Sequence, residues 1–444
     1  MKQLLALAIL FVGVMIYFLA PDKYVYSYSL LCGGVYVALI VAFYLIKQKT
    51  NYFDFDSIFF FTYFFVTLYY PIFMYETDAT RYFMFAFPFN EYFIPKGSSM
   101  AVLGMSSYLA GSIFFNDKKI IKPQVCVKNY RKIPNKHLYL ISLVLFILYF
   151  LLGGYNDLKA YYSGDKIKES TGVSAYFFLF CPAFLFAAIV IDFFNLRQIN
   201  GLKFKRKNLG IFSVIVVLFI LVSILVTGSR TVPLQIILML FGVYCLYYKD
   251  VSFLKFFIGI IAGIALMFGV VILRGYTQRD QFAVADLVMD LVINNRSSYL
   301  AIEIVKQNGL MMGENMISPL AAPVPFLQSF FIKSGFDENS ISSSRFFTEY
   351  TLGSFDGFGL GTNIIADIYL SFDFLGIIIL MMGLGFFVAK SKFYAKTNIY
   401  YLAIYAIFIS YAVYLVRAEF FYFLRYMIWT VLIIFFTKNK FKFS

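Results

Sequence analysis

Apolar stretches of roughly 17 to 22 residues recur along the whole chain, the length a helix needs to cross a hydrocarbon core of about 30 Å. They lie near residues 3–20, 25–46, 57–75, 98–116, 137–153, 173–194, 209–227, 231–248, 252–273, 362–389, 398–416 and 418–437. The pattern predicts an all-α fold, a polytopic membrane helix bundle of about twelve transmembrane helices (11–13). It reads as a single integral membrane domain over residues 1–444, since no linker or low-complexity stretch divides it.

One interval breaks the alternation of span and short loop: residues 274–361 form a single long connection. In its first part, Ala283 to Gln307, the apolar residues Val284, Leu287, Val288 and Leu291 fall at helical period against Asp286 and Asp290. That spacing predicts an amphipathic helix, lying at the membrane interface or packed on the bundle. Further on, Ile317 to Leu327 is apolar yet carries Pro319, Pro323 and Pro325 and is too short to span. Irregular backbone at membrane depth must be covered, so this piece is expected to sit against the bundle or re-enter the membrane. Gly357-Phe358-Gly359-Leu360-Gly361-Thr362 then opens the tenth span. No strand precedes it, so it is no dinucleotide fingerprint; close backbone approach and an anion at the following helix N-terminus are the physical expectation, with a hinge as the alternative.

Composition agrees with a membrane bundle, because 61% hydrophobic and 14% charged residues over 444 positions leave too little polar surface for a soluble protein. Loop charge gives the orientation, since short cytoplasmic loops carry the excess of Lys and Arg. Lys118, Lys119, Lys122, Lys128, Arg131, Lys132 and Lys136 crowd one loop and Arg197, Lys203, Lys205, Arg206 and Lys207 another. Both come out inside, which predicts cytoplasmic termini, an uncleaved first span and a long loop 274–361 facing outward. The net charge of +14 is accounted for by basic loops facing anionic membrane lipids, and no nucleic-acid partner is expected. Cys32, Cys126, Cys181 and Cys245 show no paired spacing, so neither a disulfide frame nor a metal site is expected.

The arginines change the picture. Of 27 lysines this topology puts 20 inside, but of 11 arginines only three. Arg81, Arg230, Arg274, Arg279, Arg296, Arg345, Arg417 and Arg425 fall on the outer side or just within the outer leaflet. A guanidinium grips phosphate in bidentate fashion, whereas lysine is a hydrated point charge. The outer face therefore reads as a phosphate-handling face.

Thr227-Gly228-Ser229-Arg230-Thr231, at the outer turn between spans seven and eight, resembles the Gly-Ser-Arg turn of the Wzy-type O-antigen polymerases. Three further stretches are similar in order and placement: Gly313-Glu314-Asn315 leading into Ser318-Pro319 and Val324-Pro325; Gly359 to Gly361 through Asp367-Ile368-Tyr369 and Phe372-Asp373-Phe374-Leu375-Gly376; and Arg417 through Arg425 to Trp429. The resemblance covers about residues 210–437. It implies a bundle similar to the lipid-sugar glycosyltransferases in the cytoplasmic membrane, joining undecaprenyl-diphosphate-linked oligosaccharides into O-antigen or capsule at the outer face. A chain-length regulator protein is a further partner such families leave room for.

That chemistry needs fixed cations where a lipid diphosphate departs, and electrostatic stabilisation of leaving charge is often the largest catalytic factor. Arg230, Arg274, Arg345, Arg417 and Arg425 are the candidates for the diphosphate, with no metal or other cofactor expected. A base for the acceptor hydroxyl is sought among the outer carboxylates Glu349, Asp356, Asp367 and Glu419. Pairing of Arg417 or Arg425 with Glu419 is the structural alternative for these arginines. His137, the single histidine, falls on the inner side. The related O-antigen ligases carry a functional histidine in their outer loop, so ligase is the weaker reading. A lipid-linked oligosaccharide flippase or other transporter is the rival from another class. It would place charge at mid-span in early helices and show repeated halves, and neither is visible here.

Overall fold

The computed structural model describes residues 2–75, 85, 87, 89–115, 130–154, 156, 172–201, 204, 208, 210–227, 229–273, 288–353 and 359–440. Arg81, Arg274, Arg279 and Asp356 lie outside the described residues. Fourteen helices of ten residues or more are described: α1 (Lys2–Phe18), α2 (Tyr26–Lys47), α3 (Phe55–Thr67), α4 (Ile94–Phe114), α5 (Lys136–Tyr149), α6 (Gly172–Asn200), α7 (Ile211–Val226), α8 (Thr231–Tyr247), α9 (Phe253–Leu273), α10 (Arg296–Asn308), α11 (Ser343–Leu352), α12 (Ile364–Tyr394), α13 (Ile399–Tyr411) and α14 (Leu424–Lys440). No strand occurs among the described residues. Each of the twelve apolar stretches overlaps one of these helices, α10 and α11 being the two extra ones in the long connection. By length and composition, four segments among the described residues could cross a membrane: Tyr26–Lys47, Lys136–Gly154, Ser174–Asn200 and Ile364–Tyr394. Other apolar helices, such as Lys2–Phe18, Phe55–Thr67 and Ile211–Val226, are shorter, so the chain is a membrane-helix protein in which twelve spans stay an expectation.

The bundle is built around α4, and the reason is written in its small residues. Almost every side chain from Ile94 to Ile113 is buried, among them Ser98, Ser99, Ser106, Ser107 and Ser112. Hydroxyls this deep need acceptors, and Ser106 and Ser107 donate to the carbonyl of Leu103 within their own helix, at 2.9 and 2.7 Å. The reward is close approach, mainly to α12 and α1. A Cβ on Gly111 would lie 1.9 Å from the carbonyl oxygen of Met382, and one on Gly385 2.0 Å from that of Tyr108. Backbone therefore meets backbone where α4 and α12 cross, which is how helices associate without a hydrophobic driving force.

α12 is bent. Phe372 (φ −139°, ψ 15°) and the left-handed Asp373 (φ 54°) interrupt it, and the Asp373 carboxylate restarts the helix by accepting the N–H of Phe374 at 2.7 Å. A short segment from Ile364 to Ser371 is thus set off from a long rod of about 30 Å that carries Lys392 in its last turn. At the Lys392 end a buried ion network joins three helices. Asp54 caps α3 through the N–H of Ser57 and receives both Lys49 and Lys392, while Asp56 beside it takes the hydroxyl of Tyr108 in α4.

α10 is amphipathic and packs against α12 and α4, but it lies beyond the stripe on which the expectation rested, whose Leu291 falls in a separate short helix, Met289–Val292. Tyr299, Leu300, Ala301, Ile302 and Ile304 are all buried. Val284 and Leu287, the first half of the expected stripe, lie outside the described residues.

Candidate functional site

The short first segment of α12 is the anchor on which the long connection is mounted. Asn363, fully buried, caps it by accepting the N–H groups of Ile365 and Ala366 at 3.1 and 2.9 Å, and its own amide donates to the carbonyl of Asn294 at 2.7 Å. This overturns the expectation of an anion at that helix N-terminus: the N–H groups it would need are taken by Asn363. The glycine run before it meets the other expectation, close backbone approach. Gly361 has φ +70°, and a Cβ there would lie 2.7 Å from Oδ1 of Asn294, so only glycine fits.

One turn on, Asp367 has no exposed surface and gathers three parts of the chain. Its Oδ1 accepts from the amide of Asn315 at 2.8 Å, and its Oδ2 accepts from the backbone N–H of Phe420 at 2.8 Å. Asn315 also donates to the Asp367 carbonyl and accepts the hydroxyl of Ser371 at 2.6 Å. Next to Phe420, Glu419 accepts the hydroxyl of Ser342, which also caps α11. The predicted bases Asp367 and Glu419 are therefore brought together, both buried and both engaged by protein donors. Glu349 is exposed on α11.

Because Asp367 holds the N–H of Phe420, the chain stays irregular from Ala412 and α14 begins only at Leu424. Arg425 consequently sits in the first turn of the last helix, not two turns into a span beginning at 418. Its Nε donates to the carbonyl of Ala322 at 3.2 Å, and one turn along the indole N–H of Trp429 donates to the carbonyl of Pro323 at 2.7 Å. These donors satisfy the carbonyls of Ala322 and Pro323 and seat that part of the proline-rich segment against α14, while Leu320, Val324, Pro325 and Phe326 stay exposed, so the expected cover is met only in part. Between them and α6 lies a cavity of about 270 Å³, lined by Tyr176, Leu179, Ala322, Val324, Pro325, Phe326, Arg425 and Trp429 among others. Trp429 is fixed there by a stack on Phe180, ring centroids 4.4 Å apart. Among the described residues no carboxylate pairs with Arg425.

The remaining arginines are dispersed. Arg230 stands at the N-terminus of α8 and forms an ion pair with Asp290, which is half exposed. Arg345 pairs with Glu338 at the surface. Arg417 closes a turn over Leu415–Arg417, its backbone N–H bonded to Tyr414. Glu419 forms a salt bridge with neither Arg417 nor Arg425, its Oε1 being used by Ser342. Arg296 is 2% exposed, with Nη1 3.4 Å from the hydroxyl of Thr351 and the guanidinium beside the rings of Phe87 and Phe89. Burial pulls it down to about 10, Glu303 opposing, so it is a cation at neutral pH.

The family of O-antigen polysaccharide polymerase Wzy matches residues 3–442, nearly the whole chain. The chain belongs to this family. No curated protein and no solved structure matches it. Membership of the Wzy family gives the activity in general terms, polymerisation of O-antigen polysaccharide by glycosyl transfer, and extends the likeness over the first half, where sequence reading found only a set of helices. Sequence reading assigned no role to Asn315, Asn363 or Asp373. The first and last stand inside the quoted Gly-Glu-Asn and Phe-Asp-Phe-Leu-Gly stretches, so the motifs were the available signal.

Proposed function

We propose that this Wzy polymerase joins undecaprenyl-diphosphate-linked oligosaccharide repeat units at the outer face of the cytoplasmic membrane, with both termini inside, and that Arg425 receives the diphosphate of the donor. The observation that carries this reading is the guanidinium of Arg425 on the wall of a cavity of about 270 Å³, beside an indole and aliphatic side chains and without a carboxylate partner among the described residues. Nε is spent on Ala322, which fixes the plane of the group and leaves Nη1 and Nη2 for an anion. The mixed lining suits a ligand that is charged at one point and apolar beyond it.

In the transfer the acceptor hydroxyl attacks the anomeric carbon of the donor, the bond from that carbon to the diphosphate oxygen breaks, and the lipid diphosphate leaves with the electron pair. A fixed cation stabilises that developing charge without a metal. Arg230, Arg345 and Arg417, and Arg274 outside the described residues, are the further cations of the outer face. Of the carboxylates, Glu349 is exposed and free to take the proton of the hydroxyl, and Asp356, outside the described residues, is the other candidate. Asp367 and Glu419, already occupied by protein donors, serve better to hold the connection in place.

Deleting the gene and sizing the surface and lipid-linked glycans tests the proposal. A single repeat unit on its normal anchor, or held on the carrier, with the ladder gone is the expected result. Long polymer stranded on the carrier would instead identify a ligase, and units trapped at the inner face a flippase.

A further inference from the structure

Three helices meet at the end of the bundle that carries the long connection: the last turn of α1, the first turn of α4 and the bend in α12. Each brings one polar group, Tyr17 from α1, Lys96 from α4 and Asp373 from the bend itself. We propose that Lys96 and Asp373, held on either side of Tyr17, form a binding site for a phosphoethanolamine headgroup, with Lys96 taking the phosphate and Asp373 the primary ammonium.

The Tyr17 ring sets the geometry. The ammonium of Lys96 stands over its face, 3.3 Å from the ring centroid, and donates to the Tyr17 carbonyl at 3.2 Å. The Tyr17 hydroxyl donates to Oδ1 of Asp373 at 3.5 Å. Cation and carboxylate are thus set on two parts of one phenol, forming no ion pair with each other yet separated by little more than that ring. The ring is in turn fixed by a stack on Phe374, centroids 5.4 Å apart, and Phe18 meets Phe374 edge-on at 5.6 Å. Asp373 adopts φ 54° and ψ −158°, a combination that non-glycine residues hold only where the surroundings enforce it, and such positions gather at ligand clamps.

Neither charge is neutralised by the protein. Among the described residues no carboxylate pairs with Lys96; Asp373 and the exposed Asp22 act on it only from longer range. One of its three N–H donors goes to the Tyr17 carbonyl. Asp373 is met by neutral donors, the N–H of Phe374 at 2.7 Å and the Tyr17 hydroxyl, with the Tyr369 hydroxyl beside it, and no Lys or Arg pairs with it among the described residues. A carboxylate has about four acceptor positions, so it can take an ammonium as well. Both groups are half-buried, where an unpaired charge is costly. A lone phosphate would be repelled by Asp373 and a lone amine by Lys96. A ligand with both charges a short linker apart satisfies the two at once.

The position is that of a lipid headgroup. α1 ends at Phe18 and the chain turns polar at Asp22-Lys23, whereas Phe18, Leu19, Phe372 and Leu375, next in the chain to the site residues, are exposed apolar side chains suited to acyl chains. Lysines near helix ends reach toward this level of the membrane.

The test uses the full chain in a neutral detergent. Thermal unfolding is followed with phosphatidylethanolamine, phosphatidylcholine, phosphatidylglycerol or soluble phosphoethanolamine added, and bound lipid is counted by native mass spectrometry. Phosphatidylethanolamine should raise the unfolding midpoint by several degrees and be retained at one copy. Phosphatidylcholine, whose nitrogen has no N–H to donate, and phosphatidylglycerol, which brings no cation to Asp373, should do so less. Both effects should vanish in Lys96→Gln and Asp373→Asn and persist in Lys333→Gln, an exposed cation of the long connection. Asp373→Gly separates binding from folding, because glycine adopts a positive φ without strain while the carboxylate is lost. A matching rise with soluble phosphoethanolamine would keep the site and make its ligand a soluble ester. An equal rise with phosphatidylcholine or phosphatidylglycerol, no rise with any of the four, or a rise undiminished in Lys96→Gln or Asp373→Gly would overturn the proposal.

Discussion

The backbone N–H of Phe420 donates to Oδ2 of Asp367 across 53 residues of chain, at 2.8 Å and with the carboxylate fully buried. Through this one bond the start of α12 fixes where α14 begins, and with it the position of Arg425. Replacing Asp367 by Asn keeps the size but puts an amide donor against either the N–H of Phe420 or the amide of Asn315. A buried donor facing a donor costs about 1–3 kcal/mol. Asp367→Asn is expected to lower the unfolding midpoint in detergent and to reduce polymer roughly in step with folded protein. Full stability with polymer abolished would show instead that the carboxylate acts chemically.

Where α4 meets α12, Gly111 and Gly385 each face a carbonyl about 2 Å from where a Cβ would stand. A methyl group cannot be absorbed by rotating a side chain, because its neighbour is main chain; the helices must separate. Gly111→Ala and Gly385→Ala should each cost about 1–3 kcal/mol or more, as overpacking does. Quantifying folded protein in membranes would check this, with Gly34→Ala, open on all sides, as the neutral comparison. Wild-type abundance in both variants would mean that the two helices separate at this crossing at little cost.

The helices were legible because a 17- to 22-residue apolar run has few alternatives in a chain this hydrophobic. Their interruptions were not. Phe372 and Asp373 lie inside an apolar run whose composition does not announce a break, and the bend becomes visible only once Asp373 is seen to cap Phe374. The start of α14 was misread for a similar reason, since it is set by a hydrogen bond from a residue 53 positions away. At the site, the proline-rich segment and Arg425 were both noticed, but not that one would bind the other. Distance along the chain hides such pairs. The anion expected at the α12 N-terminus failed because Asn363 was not recognised as a cap, although Asn directly before an apolar helix is a strong cap signal.

Arg230 and Asp290 give a way to separate phosphate binding from structure. Their ion pair is partly exposed, and such pairs contribute about 0–1 kcal/mol. Asp290→Asn should therefore leave abundance within a few tenths of normal and leave the glycan ladder intact, since the cation stays in place. Arg230→Lys retains the charge but loses the bidentate fork, and should shorten or abolish the ladder at normal abundance. Equal loss in the two variants would assign Arg230 to the ion pair alone.

Arg425 does two things at once: its Nε holds the carbonyl of Ala322, and the rest of its guanidinium faces the cavity. A defect in Arg425→Lys could therefore come from a loosened proline-rich segment or from a weaker grip on a leaving diphosphate. Trp429→Phe separates the two, because it removes the bond to the Pro323 carbonyl from the same segment while leaving the cation untouched. Losing one neutral hydrogen bond costs about 1 kcal/mol, so Trp429→Phe should polymerise at near-normal rate per folded molecule. Loss of one preorganised group that stabilises departing charge costs about 10²–10³ in rate, so Arg425→Lys should leave almost no ladder at equal membrane abundance. Glycan sizing normalised to folded protein in the two strains reads the difference. A normal ladder in Arg425→Lys removes the diphosphate role from Arg425, and an equal collapse in Trp429→Phe moves the explanation to the seating of the proline-rich segment.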